Sequence, residues 1–106
     1  MRELFYCKKE FNDNIEDWNT SNVINMYCMF YQAYKFNKSL NNWDISNVTD
    51  MSYMFYYALS FNQNLNNWNI SNVIYMNFTF NKASHFNKDN CNNWDLNHIK
   101  DINKMY

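Results

Sequence analysis

Apolar residues return to the same places in this chain every 25 residues. Phe11, Phe36, Phe61 and Phe86, each followed by Asn, open successive units, and an aliphatic residue follows at Ile15, Leu40 and Leu65. Trp18, Trp43, Trp68 and Trp94 come next, the last delayed by one inserted residue near Cys91. Then stand Thr20, Ile45, Ile70 and Leu96, followed by Val23, Val48, Val73 and Ile99, and by Met26, Met51, Met76 and Ile102. Phe30, Phe55, Phe80 and Tyr106 come after, and Ala33, Ala58 and Ala83 close the unit. Fixed-period similarity of this kind marks a repeat architecture. The chain divides into a half unit 1–10, full units 11–35, 36–60 and 61–85, and a partial unit 86–106, together one repeat domain 1–106.

Two periods coexist within a unit. Trp43 and Ile45 flank the polar Asp44, the alternation of a strand with one buried face. From Val48 the apolar positions run Val48, Met51, Phe55, Ala58, the three–four–three spacing of a helical stripe, α or 3-10. Ser46 or Asn47 stands where an N-cap belongs, and Asp50 lies in the first turn. The pattern predicts an α/β fold: a right-handed leucine-rich-repeat-like solenoid with one short parallel strand and one helical segment per unit. Its core would hold Trp18, Trp43, Trp68 and Trp94 with Val48, Met51, Phe55, Val73, Met76 and Phe80. Stacking would align Asn12, Asn37, Asn62 and Asn87 in a column, either as an internal amide ladder or as plain αL turn residues.

Composition sharpens this picture in three ways. The chain has no Gly and no Pro, while Asn is abundant. Asn enters αL more readily than other non-Gly residues and closes Asx-turns, so it is the expected source of turn chemistry; an AT-rich genome would also raise the Asn count. Aromatic residues make up 21% of the chain, and their regular spacing separates it from disordered Asn-rich tracts. The formal net charge of −1 comes without basic runs, which argues against nucleic acid or an anionic membrane as partner. No apolar stretch is long enough for a transmembrane helix, and "MRELFYCKKE" lacks the order of a secretory signal.

The sequence of Phe-Asn, then Trp-Asp/Asn-Ile-Ser-Asn-Val, then Met-x-x-Met-Phe-x-x-Ala resembles the repeat of the DUF285 family, which belongs with the BspA-like leucine-rich repeats. "LNNWNISNV" fits the leucine-rich frame, with Trp68 and Ile70 in apolar slots and Val73 where Asn is usual. The resemblance implies an α/β solenoid, a role in protein or glycan binding or adhesion, and a place in bacterial surface proteins and lipoproteins. It implies no catalytic residues. Two features depart from the family pattern: Ala58-Leu59-Ser60 and Ala83-Ser84-His85 stand where Gly is usual, and Leu4-Phe5-Tyr6-Cys7 is a poor lipobox. As written, the chain reads as cytoplasmic; by resemblance, it reads as secreted or on the cell surface.

No reactive constellation stands out. Cys7, Cys28 and Cys91 fall in different slots of the unit, and with His85 and His98 they do not make a four-ligand zinc pattern. Asp44 and Asp95 share one column and Asp50 and Asp101 another, so each pair sees one environment twice, unlike an acid–base pair. No enzyme activity, cofactor or metal is expected. The outward positions Asp17, Asn19, Asn42, Asp44, Asn67, Asn69, Asn93 and Asp95 would form a flat polar strip, either a peptide- or glycan-binding surface or an ordinary solvated face. Tyr27, Tyr31, Tyr53, Tyr56, Tyr57, Tyr75 and Phe78 lie outside the apolar stripe and suggest a second contact surface. Two readings of function follow: a non-enzymatic binding module, or a structural segment that associates end to end.

Overall fold

Each unit is built from turns. In the computed structural model, which describes residues 1–106, the unit 36–60 shows the rule. N–H groups of Trp43, Val48, Met54, Tyr56, Ala58 and Phe61 each donate to the carbonyl three residues earlier. Between them, every second N–H leaves the unit: Met51 donates to Tyr75 O at 2.9 Å, Tyr53 to Asn77 O at 2.9 Å, Phe55 to Thr79 O at 2.9 Å and Tyr57 to Asn81 O at 3.1 Å. The same alternation joins Met26, Cys28, Phe30 and Gln32 to Asp50, Ser52, Met54 and Tyr56. Successive units therefore lie over one another, in parallel register at Asn25–Asp50, Asp50–Tyr75 and Tyr75–Asp101.

This overturns the expected α/β solenoid with a strand and a helical segment in every unit. The three parallel contacts are isolated bridges, and the only helix is one 3-10 turn, Lys88–Cys91. The Trp43–Ile45 alternation is buried–exposed–buried, but Trp43 N–H turns back to Leu40 O, so no strand forms there. The Val48–Ala58 stripe is not a helix, because an α-helix commits each N–H to the carbonyl four residues back. Here alternate N–H groups are spent on the neighbouring unit. Consecutive turns bonded across three residues place Met51, Met54 and Ala58 on the inside, and so imitate helical spacing.

Such a string of turns requires residues in the left-handed region. In the turn Met51–Met54 the third residue, Tyr53, has φ 58°, and in Phe55–Ala58 the third residue, Tyr57, has φ 56°. Positive φ at that place is what a type II turn demands, and Gly or Asn is the usual supplier. Nine residues adopt it here, among them Cys28, Gln32, Phe78 and Lys82, and none is Asn. The expectation that Asn would supply αL is thus corrected. A non-Gly residue in αL costs about 1–2 kcal/mol. The N–H of Cys28, Gln32, Tyr53, Tyr57 and Phe78 each bonds to the next unit, which holds these residues in place. Lys82, at φ 65° and exposed, lacks such a bond. Lys82→Gly relieves its strain at the smaller cost of a freer unfolded chain, about 0.5–1 kcal/mol. A small rise in the urea midpoint is expected, and a fall would show that αL is not strained at this site.

Asn acts instead through its side-chain carbonyl. Asn12 Oδ1 accepts from Asn37 N–H at 2.9 Å, Asn37 Oδ1 from Asn62 N–H at 2.9 Å, and Asn62 Oδ1 from Asn87 N–H at 3.0 Å. The Asn12, Asn37, Asn62 and Asn87 column is exposed and runs from side chain to backbone, rather than internally from amide to amide.

Inside the stack, rings form two facing columns. Phe30–Phe55 and Phe55–Phe80 stand 5.4 Å apart between centroids, and Phe36–Phe61 and Phe61–Phe86 stand 5.9 and 6.0 Å apart. The columns meet at Phe30–Phe36, Phe55–Phe61 and Phe80–Phe86, 4.0 to 4.4 Å apart and nearly parallel. Val48, Met51, Phe55, Val73 and Met76 are fully buried and Phe80 nearly so. Indole N–H groups tie the layers: Trp43 Nε1 donates to Ile15 O at 3.0 Å, Trp68 to Leu40 O at 2.9 Å and Trp94 to Leu65 O at 3.1 Å. Trp43 and Trp68 are buried, Trp94 is half-buried, and Trp18, with no such partner, is 41% exposed.

Candidate functional site

The polar strip is exposed along its whole length, from Asp17 and Asn19 through Asn42, Asp44, Asn67 and Asn69 to Asn93 and Asp95. Its side chains divide into two sets. Asn19, Asp44, Asn69 and Asp95 close Asx-turns, each Oδ1 accepting the N–H two residues on at 2.9–3.1 Å. The Ser46 hydroxyl and N–H hold the Asp44 carboxyl below its usual range. Asn93 is tied to Asn66 by its own N–H and its side-chain amide. Asp17, Asn42 and Asn67 make no side-chain hydrogen bond and present free heads. Half of the strip thus shapes the backbone that carries it.

The strip deepens at one place, into a cleft of about 270 Å³ lined by Trp68, Asn69, Ser71, Trp94, Asp95 and His98, among others. Its origin is the inserted residue. Asn87 caps the 3-10 turn Lys88–Cys91, its Oδ1 accepting from Asp89 N–H at 2.9 Å. The extra residue places Cys91, rather than Asn90, in the slot of Leu40 and Leu65, because Trp94 N–H returns to Cys91 O as Trp68 N–H returns to Leu65 O. Trp94 then stacks on Trp68 at 6.3 Å and 11°. Elsewhere the Asn of Ser-Asn-Val clamps the unit below: Asn47 Nδ2 donates to Ser21 O at 2.8 Å and Asn72 Nδ2 to Ser46 O at 2.7 Å. His98 takes that role with a longer reach, its Nε2 lying 3.0 Å from Ile70 O. The Ser71 carbonyl at the cleft wall is left without the bond its counterparts accept. The sequence signal for this site was the break in the period, the insertion together with His98 in place of Asn.

Elsewhere the reactive residues are dispersed. His85 Nδ1 lies 2.6 Å from Leu59 O on the exposed surface. Burial pushes the Cys28 thiol up to about 11 and raises that of Cys91, whose Sγ lies 3.2 Å from the Tyr106 hydroxyl. No three His, Cys, Asp or Glu side chains converge as a metal cage, and no helix is long and apolar enough to cross a membrane.

The family described as "Mycoplasma protein of unknown function, DUF285" matches residues 1–106, and the chain belongs to it. No curated protein and no solved structure matches the chain.

Proposed function

We propose that the chain is a non-enzymatic binding module whose polar strip takes a glycan or an extended polypeptide, in keeping with its sequence resemblance to bacterial surface and adhesion-type repeat proteins. The observation that carries this reading is the cleft. An indole face, a carboxylate, amides and an unbonded carbonyl surround one opening, and such mixed apolar and hydrogen-bonding linings hold small polar ligands. No metal or cofactor enters the reading. Nuclear magnetic resonance titration with soluble trisaccharides and with a hydroxyl-rich peptide would test it. A ligand is expected to shift Trp94, Asn69 and His98 together. Asp95→Asn keeps the turn acceptor but removes the charge; combined with Asn67→Ala, it should weaken binding about tenfold with little change in melting. Undiminished affinity in that double variant would remove the strip from the site.

A second reading, end-to-end association, rests on the outer layers. The N–H groups of Ile102, Lys104 and Tyr106 occupy the slots that elsewhere donate to the next unit, and the carbonyls of Arg2, Leu4 and Tyr6 occupy the slots that accept. None has a partner within the chain. A second copy could continue the ladder, with Trp18 and Leu4 covered in the contact. Head-to-tail contacts of this kind do not close and would build open chains. Sedimentation should then show mass rising with concentration, and Leu4→Glu should suppress the rise. A strict monomer at high concentration would end this reading.

A further inference from the structure

Beside the ring columns of the core runs a second set of aromatic side chains, and two positions in it, Glu3 and Cys28, carry no ring. Glu3, Cys28, Tyr53 and Phe78 occupy the same slot in successive layers, each with φ near 60° and each sending its N–H to the following unit. Tyr53 and Phe78 fill the slot with rings stacked at 5.0 Å and 6°. Cys28 fills it with a thiol only, and above that thiol lies a cleft of about 490 Å³ lined by Glu3, Tyr6, Tyr27, Cys28, Tyr31 and Tyr53. Cys28, 4% exposed, lies at the base of this opening, where the two later layers carry a ring. The walls are ordered: Tyr6 and Tyr31 stack at 4.8 Å, Tyr31 and Tyr56 at 4.9 Å, and Tyr27 stands edge-on to Tyr53 at 6.1 Å.

We propose that this cleft binds the guanidinium group of an arginine side chain on a partner protein. The occupant must be flat, to lie on the Tyr53 ring as Phe78 does on its other side. It must also be cationic, because the next member of the column is the exposed carboxylate of Glu3. A guanidinium meets both demands: it stacks on aromatic faces and directs N–H donors from its edge to a carboxylate. The chain shows the preference itself. The Arg2 guanidinium lies 4.7 Å from the centroid of Tyr27 and its Nε 3.7 Å from Glu3 Oε1, at the rim of the same cleft. An alkylammonium is compact and strongly hydrated, and gains less from a stacked ring. A neutral ring could stack but would bring no donor to Glu3, whose one ion-pair contact is the 3.7 Å approach of Arg2 Nε. The site uses none of the strip residues and stands independently of the reading above.

The test is a titration of the whole chain with N-acetyl-arginine methylamide, following the ring resonances of Tyr27, Tyr31 and Tyr53. Saturable shifts of all three are expected, with affinity at least tenfold above that of the citrulline and lysine analogues. Glu3→Gln, an exposed and conservative change, should weaken binding about tenfold. Cys28→Tyr should abolish it while leaving the fold intact, because Tyr53 already occupies the equivalent position. Equal binding of the citrulline or lysine analogue, undiminished affinity in Glu3→Gln or Cys28→Tyr, or no saturable shift would each overturn the assignment.

Discussion

Trp43→Ala is expected to lower stability by about 3–5 kcal/mol, the usual penalty for removing a large buried aromatic side chain. Trp43 is 3% exposed and packs near Phe30, with ring centroids 6.2 Å apart. Its indole N–H also gives Ile15 O, in the neighbouring layer, a second donor beside Trp18 N–H. Truncation therefore opens a cavity and removes one of the two hydrogen bonds that Ile15 O accepts, the other coming from Trp18 N–H at 3.2 Å; such a bond is worth about 0.5–1.5 kcal/mol. Trp43→Phe separates the two effects, since it restores most of the volume and none of the hydrogen bond. Trp18→Ala is the control: the same residue type, 41% exposed and without an indole partner, should cost well under half as much. Urea unfolding with an unchanged slope would place the loss in the native state. A domain of this size has about 5–15 kcal/mol in all, so the Trp43→Ala midpoint should fall severely. Equal losses at Trp18 and Trp43 would contradict the layered packing of the indoles.

The repeat was legible in the sequence because burial leaves a strong periodic mark; the local conformation was not, for two physical reasons. First, a string of turns bonded across three residues spaces its inward side chains as a helix does. Val48, Met51 and Phe55 therefore could not reveal whether their N–H groups return within the unit or leave it. Second, positive φ carries no signature when Tyr53, Tyr57, Cys28 and Gln32 supply it in place of Gly. These residues tolerate αL because the bond to the neighbouring unit selects that conformation, and a single-unit reading does not see the neighbour. The ladder of Asn12, Asn37, Asn62 and Asn87 was legible as a column whose members bond one another, but its exposure and its backbone donors were not. A side-chain carbonyl that accepts a backbone N–H leaves Asn at the surface, where its amide meets water.

The candidate sites follow the same logic. Regular positions give regular surfaces, and the strip could be read from the period alone, but a cleft requires an irregularity. The insertion before Trp94, His98 in place of Asn, and Cys28 in place of a ring are each a small departure from the unit. The first two adjoin the cleft beside Trp94, and the third lines the one beside Tyr53. In a chain built of equivalent layers, irregular surface shape is concentrated where equivalence fails.

Phe55→Ala is the second large loss expected, again about 3–5 kcal/mol, and it tests the ring columns directly. Phe55 is fully buried and stacks on Phe30, Phe61 and Phe80 at 5.4, 4.1 and 5.4 Å. Neighbouring rings are fixed by the backbone bonds between layers, so they cannot collapse far into the space left behind, and the cavity term should approach its upper range. Phe5 belongs to the same column but is only half-buried, against Phe11, Trp18 and Phe30. Phe5→Ala should cost about 1–2 kcal/mol, in proportion to the smaller area it removes from water. Phe55→Leu should recover more than half of the Phe55→Ala loss, because it refills volume without the ring. A gradient from Phe5 to Phe55 is what a column with a covered centre and a more open end requires. If the two alanine variants melted together, the rings would not be sharing one continuous core.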